Sequence, residues 1–275
     1  MTDNGMKVLF TRERAYIFNQ ENEELLSAKR INGLYFIEEA DEEARNIDVD
    51  NGKKFTMGTR IDINYAVTHL SQFNNCFKED HWKAAKRVLR YLKGTINYEL
   101  TYSRNDDELK CYADADWGNC KIDRHSFSGY LFTLSGAAIS WTSKKQRTVA
   151  LSSLEAELVS LSESCKEAIY LRRFLDELGY PIKLPLLIHN DSQGAQATIR
   201  NPIYRSKTKH IDIRNNFIKQ NLDEGIVNIQ YLSTDEMVAD FLTKSLSKMK
   251  HEFCTTSAGI TDGSSVYKDA DALST

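Results

Sequence analysis

Lys110-Cys-Tyr-Ala-Asp-Ala-Asp-Trp117 is the stretch on which the fold turns. As a strand its side chains alternate faces, so Leu109, Cys111, Ala113 and Ala115 point one way and Tyr112, Asp114 and Asp116 the other. The apolar set suits a core. The two carboxylates meet near the strand end, where they repel each other unless water or a metal ion neutralises them. Taken alone, the stretch also fits a strand running out into a solvated turn at Gly118-Asn119. The rest of the chain decides between these readings, because it supplies more carboxylates in a fitting order.

Three strand-like runs, 108–116, 127–134 and 137–143, are joined by short links, as antiparallel neighbours require. A long helix opens at Ser152-Ser-Leu-Glu155, a capping-box pattern. Its apolar stripe runs through Leu154, Leu158, Leu161, Cys165, Ala168, Leu171 and Leu175, and Gly179-Tyr-Pro181 ends it. A strand from Leu186 to Asn190 leads into Asp191-Ser192 and a small helix. A basic helical segment over about 206–223, a strand from Ile226 to Tyr231 and a last helix near Thr234-Asp235 follow; that helix carries Val238, Phe241 and Leu242. The order βββαβαβα predicts an α/β fold, a five-stranded mixed sheet with helices on its faces.

Five acids fall at informative places in that order. Asp114 is on the first strand, Glu155 and Glu157 are in the first turns of the long helix, Asp191 ends the fourth strand, and Asp240 precedes Phe241. Open α/β sheets usually place ligands at such carboxyl ends of strands. Mg²⁺ takes oxygen ligands and retains waters. Two such ions about 4 Å apart activate a water and stabilise the leaving oxygen of a phosphodiester. Each acid also has an ordinary role: Glu155 as a capping partner, Asp191 as a helix N-cap, Asp240 as a surface residue. Alternation does not separate Asp114 from Asp116, nor does helix geometry separate Glu155 from Glu157.

The 275 residues are 27% charged and 41% hydrophobic, as in a globular chain, with a formal net charge of only -3. Any surface for nucleic acid is therefore local. The five cysteines form no Cys-x-x-Cys pair, which argues against a disulfide framework or zinc knuckle and for a reducing compartment. There is no apolar run of membrane-spanning length and no signal-peptide pattern, so no membrane association and an intracellular location are expected. Residues 1–37 read as a short β-rich piece, with strands at 7–10, 15–18 and 33–37, and 38–56 as an acidic linker. Residues 57–104 read as a small helical region. Its second helix pairs an apolar stripe (Trp82, Ala85, Val88, Leu89, Leu92) with Lys83, Lys86, Arg87, Arg90 and Lys93. The main domain is expected over 105–248 and a disordered tail over 249–275.

From about residue 57 to 246 the chain resembles the C-terminal part of a Ty1/copia-type retrotransposon Pol polyprotein. The motifs that carry this are Tyr112-Ala-Asp-Ala-Asp-Trp-Gly118, Asp123-Arg-His-Ser-Phe-Ser-Gly-Tyr130, Ser152-Ser-Leu-Glu-Ala-Glu157, His189-Asn-Asp-Ser-Gln193, Lys209-His-Ile-Asp-Ile-Arg214 and Ala239-Asp-Phe-Leu-Thr-Lys244. Residues 57–104 resemble the segment after the reverse-transcriptase palm, and 1–37 the piece ahead of the integrase. The resemblance implies a ribonuclease H-like fold and activity, cutting the RNA strand of an RNA–DNA hybrid. It implies Asp114, Glu157, Asp191 and Asp240 as catalytic metal ligands for two Mg²⁺ ions, with Mn²⁺ as an alternative. The register of the motifs is what favours Asp114 over Asp116 and Glu157 over Glu155.

The partners implied are the hybrid and a separate reverse-transcriptase polypeptide, with no small-molecule cofactor. The implied location is cytoplasmic, in a virus-like particle in a complete element, with the nucleus as an alternative. Expected phosphate contacts are Lys144, Lys145, Arg147, Arg205, Lys207, Lys209 and His210, with Ser126, Ser128, Ser192 and Gln193 hydrogen-bonding sugar or phosphate. Two departures stand out: Tyr231-Leu-Ser-Thr-Asp-Glu236 carries no histidine before the last acid, and no palm with a paired-Asp turn is present. Polymerase and integrase activities are not expected. A catalytically silent nucleic-acid-binding remnant is the competing reading, and DNA strand transfer a weaker one, since fold alone does not settle function.

Overall fold

Four short strands lie at the N-terminus of the computed structural model: β1 (Lys7–Phe10), β2 (Arg14–Phe18), β3 (Glu24–Ile31) and β4 (Leu34–Ile37). They form an antiparallel meander in sequential order, and β3 is a strand the sequence reading lacks. The structure describes these four strands by their backbone, together with residues 58–103, 108–201 and 209–263. The expected acidic linker at 38–56 lies outside the described residues. The chain divides into two compact units, one comprising 1–56, 86–98 and 262–275, the other 57–85 and 99–261. The second holds every residue of the candidate site.

A 3-10 turn at Ile61–Ile63 leads into α1 (Asn64–Ser71), and α2 spans Glu79–Gly94. No residue of α2 is buried, and Trp82 and Leu89 of its expected apolar stripe are 54% and 60% exposed. After β5 (Tyr98–Leu100) come β6 (Lys110–Asp116), β7 (Phe127–Leu134) and β8 (Ala137–Lys145). The long helix α3 (Ser153–Glu177) follows, then β9 (Leu186–Asn190), α4 (Gln193–Arg200), α5 (Lys209–Asp223) and β10 (Val227–Tyr231). The sheet order is β10-β9-β6-β7-β8, with β6 parallel to β9 and antiparallel to β7. This is the expected five-stranded mixed sheet.

The sheet geometry brings distant acids to one edge. Cys111 pairs with Ile188 and Tyr112 with His189, so the next residues of the same register bring Ala113-Asp114 beside Asn190-Asp191. Parallel strands end on the same side, which is why both acids emerge together. The core beneath is formed by Cys111, Ala113, Phe132, Leu158, Leu161, Ile188 and Ile229, all at most 2% exposed. The Ser160 hydroxyl ties α3 to the sheet by donating to the carbonyls of Asp114 (2.8 Å) and Gly129 (3.2 Å).

Two expectations are corrected. The predicted last helix is a pair of 3-10 turns, Thr234–Glu236 and Val238–Leu242, separated by Met237 in extended backbone. Met237 is fully buried, and sinking it into the core interrupts the helical path. The tail expected to be disordered is ordered to residue 263: α6 spans Lys248–Ser257, and β11 (Ile260–Asp262) pairs with β5. Its Ser/Thr/Gly composition hides a packed face, since Cys254, Thr255, Ala258 and Ile260 are buried and Ala138 N–H donates to the Ala258 carbonyl (2.9 Å). The rest of the expected tail lies outside the described residues.

Gly129 explains itself in this frame. It sits opposite Asp114 in the β6–β7 register, and a Cβ there would stand 2.7 Å from Leu242 Cβ and 2.9 Å from Thr243 Cγ2. Only a residue without a side chain lets the Val238–Leu242 turn lie this close to the sheet. Gly129→Ala is expected to lower unfolding free energy by about 1–3 kcal/mol, the usual cost of overpacking, measured by urea denaturation.

Candidate metal centre

Asp114, on β6, is almost fully buried. Its Oδ2 accepts from the Thr243 hydroxyl and lies 3.5 Å from Lys244 Nζ. Glu157, in the second turn of α3, is also buried, and its Oε2 accepts from Asn190 Nδ2 (2.9 Å). Asp191 follows β9, and its Oδ2 accepts from the Thr234 hydroxyl (2.7 Å). One carboxylate oxygen from each of these three acids lies within 4.8 Å of the others. Three anions that close, two of them buried, repel strongly. Burial, and then the neighbouring Asp114, pushes the Glu157 carboxyl well above its ordinary pKa, against the Asn190 hydrogen bond. Burial likewise raises Asp114, opposed by Lys244 and helped by Asp240.

Asp240, in the second 3-10 turn, is buried beside this triad and is engaged by lysines. Lys244 Nζ is 2.7 Å from its Oδ1, an ion pair without the angles of a directed hydrogen bond, and Lys250 Nζ is 3.5 Å from its Oδ2. Burial opposes the Lys244 charge, but Asp114 and Asp240 more than offset it and hold its pKa above the ordinary lysine value. The site thus sets four carboxylates against two ammonium groups and offers oxygen donors. That donor set, with its uncompensated negative charge, fits a hard divalent cation such as Mg²⁺ or Mn²⁺.

The two pairs that sequence geometry left open now separate. Glu155 is a capping residue: its carboxylate accepts from Leu151 N–H (2.8 Å), while the Ser152 hydroxyl accepts from Glu155 N–H (3.2 Å). Asp116 is outside the triad. Its Oδ2 is buried with no hydrogen-bond partner among the described residues, and burial raises its pKa. Asn190, Thr243, Lys244 and Lys250 had no role assigned from sequence. Asn190 carried a signal, since it continues the inward alternation of Leu186 and Ile188 on β9 and is fully buried. Lys244 carried one too, standing four residues after Asp240.

The expected substrate contacts divide. Ser128, Lys144, Lys145, Arg147 and His210 line one cleft of about 520 Å³, which also takes in Glu163, Lys166 and Arg214. Lys145 is not a free cation there: it is tied to Asp123 Oδ2 and Gln72 Oε1, both at 2.6 Å. Ser128 accepts from Gln146 Nε2 (2.7 Å). Ser126 is a correction, because it is fully buried and accepts from Gly118 N–H (3.0 Å), closing the loop after β6 instead of facing a ligand. Ser192 caps α4 by accepting from Ala195 N–H (3.2 Å), and Gln193 is the exposed first residue of that helix. Lys209 is exposed at the start of α5, and Arg205 and Lys207 lie outside the described residues.

A sheet of order β10-β9-β6-β7-β8, with acids from β6, α3 and the end of β9 converging at one edge, defines a ribonuclease H-like fold. The chain is homologous to retrovirus-related Pol polyproteins from copia-type transposons. It is 43% identical over 202 residues to the retrovirus-related Pol polyprotein from transposon TNT 1-94 of Nicotiana tabacum, and 40% identical over 204 residues to that from transposon RE1 of Arabidopsis thaliana. Each match takes in 74% of this chain but only 15% and 14% of the relatives' own lengths. A shorter match, 52% over 114 residues, covers 41% of this chain and 80% of a protein named secreted RxLR effector protein 161, of Plasmopara viticola. Among solved structures, LC11-RNase H1 in complex with an RNA/DNA hybrid aligns with 50% of this chain and 94% of its own, at 15% identity and a TM-score of 0.37. No protein-family model matches the chain.

The raised Glu157 pKa has a signed consequence. The folded protein keeps a proton that the unfolded chain releases above the ordinary glutamate value of 4.5, so stability falls as pH rises through that window. Glu157→Gln carries no charge at any pH and escapes this loss. In metal-free buffer its Tm is expected to exceed the parent's by a few degrees at neutral pH, with the gain shrinking below about pH 4.5, measured by calorimetry.

Proposed function

We propose that this chain is a divalent-metal-dependent ribonuclease H that cuts the RNA strand of an RNA–DNA hybrid. The observation that carries the reading is the convergence of Asp114, Glu157 and Asp191 within 4.8 Å at the carboxyl edge of a ribonuclease H-like sheet. These three acids would hold the metal, with Asp240 as a fourth carboxylate. Divalent cations in such a site activate water and stabilise the leaving oxygen of a phosphodiester. The chain's other residues orient this set: Asn190 holds Glu157, Thr243 and Lys244 hold Asp114, and Thr234 holds Asp191.

The cleft supplies the substrate surface. Lys166 and Arg214 there are paired to Glu163 (3.0 and 2.7 Å), while Lys144, Arg147 and His210 line it as a local basic patch on a chain of net charge -3. Backbone phosphates are their natural ligands, and a hybrid is distinguished by groove shape and the 2′-hydroxyl more than by base identity. A silent nucleic-acid-binding remnant is the second reading. It is favoured by one observation, that Asp240 is engaged by Lys244 and Lys250.

The purified chain, offered labelled RNA–DNA hybrid, duplex RNA and duplex DNA with Mg²⁺, is expected to cut only the RNA of the hybrid. Asp191→Asn should reduce cleavage to background while leaving the circular dichroism spectrum and melting curve intact. Salt-dependent hybrid binding with no cleavage by the parent chain would select the silent reading, and full activity in Asp191→Asn would remove the metal-site argument. Arg147→Ala is expected to weaken hybrid binding at every sequence and to reduce the salt slope by about 1, measured by titration at several salt concentrations.

A further inference from the structure

The C-terminal helix α6 sends Lys250 into the flank of the site. Its Nζ donates to the carbonyls of Thr234 (2.9 Å) and Asp235 (2.5 Å), and lies 3.5 Å from Asp240 Oδ2. Those two carbonyls belong to the first 3-10 turn, Thr234–Glu236. The hydroxyl of the same Thr234 donates to Asp191 Oδ2 (2.7 Å). The helix is itself fixed against this region: Cys254 is fully buried with its Sγ 3.7 Å from the Met237 carbonyl, and the His251 ring stands edge-on to Phe241. A continuous series of contacts therefore runs from α6 through Lys250 and Thr234 to one carboxylate of the triad.

Asp191 has particular need of such support. Asp114 and Glu157 are buried on a central strand and a long helix, whereas Asp191 is only partly buried and sits just past the end of β9. Its carboxylate is held by the Thr234 hydroxyl on Oδ2 (2.7 Å). We infer that Lys250 is a positioning residue of the metal centre: by fixing the Thr234–Glu236 turn it holds the Thr234 hydroxyl on Asp191. This rests on the proposal that the triad binds a divalent cation. A role as mere counter-charge to Asp240 makes the opposite prediction, since deleting a positive charge beside a cation site strengthens cation binding.

The test is a double-mutant cycle on the purified full chain, with Mn²⁺ alone as the probe and its binding read by electron paramagnetic resonance without nucleic acid. Lys250→Met and Thr234→Val are each expected to raise the Mn²⁺ half-saturation concentration about fivefold. The double variant should be no worse than the weaker-binding single variant within about twofold, because both substitutions release the same carboxylate. Lys250→Arg, which keeps charge and donors, should recover most of the affinity. Unchanged or tighter Mn²⁺ binding by folded Lys250→Met would overturn the inference, as would effects that multiply in the double variant. Should Lys250→Met fail to fold by circular dichroism, Lys250→Ala at reduced temperature takes its place in the cycle. A parent chain that binds no Mn²⁺ would remove the metal-centre proposal itself, and this inference with it, whereas parent binding indifferent to Lys250 and Thr234 removes the inference alone.

Discussion

The repulsion among buried carboxylates is the constraint around which the rest of this structure is arranged. Asp114, Glu157 and Asp191 bring oxygens within 4.8 Å of one another, and burial denies two of the three acids the water that would screen them. Such an arrangement persists only if the surrounding fold overdetermines it. Here every acid has a dedicated holder: Asn190 for Glu157, Thr243 for Asp114, Thr234 for Asp191 and two lysines for Asp240. The holders come from β9, from the segment after β10 and from α6, so the site draws on three separate parts of the second unit. Local charge balance remains negative, the condition under which a divalent cation stabilises the fold it enters.

The sheet solves the placement problem before any side chain is considered. A strand that is parallel to one neighbour and antiparallel to the other joins a meander to a crossover unit, and its carboxyl end is shared with the parallel partner. Asp114 and Asp191 are brought together by that rule alone. Asp240 needs more, because its turn must lie across β7. Gly129 gives the room, and the Ser160 hydroxyl ties α3 to the carbonyls on both sides of that crossing. Gly129 and Ser160 thus act on the site through the backbone they admit or fix.

The cleft shows why cations are hard to assign from sequence. Lys144, Lys145 and Arg147 are near neighbours in the chain, yet Lys145 is held by Asp123 and Gln72 while Lys144 and Arg147 are exposed. Asp123 and Gln72 lie 22 and 73 residues away, distances at which no local pattern speaks. His210 and Arg214 reach the same cleft from α5. Their chemistry is visible as a basic helical motif, but their meeting with β8 is a property of the packed layers.

What the sequence by itself determined is the order of the elements from β6 to β10 and the three acids, Asp114, Glu157 and Asp191, that the fold brings together. Period-two alternation in 110–116, the capping box at 152–155 and the apolar stripe of the long helix are local signals, written by neighbours a few residues apart, and all three are realised. The motif resemblance likewise named Asp114 and Glu157, which alternation and helix geometry left level with Asp116 and Glu155. Only the tertiary structure decided that Ser126 closes a loop in the interior and that the final helix is broken at Met237. It alone ordered α6, whose composition reads as solvated tail but whose Cys254 and Thr255 face the interior. The reason is common to all of these: each outcome depends on which atoms from remote parts of the chain compete for the same hydrogen bond or the same volume, and that competition exists only once the chain has closed on itself.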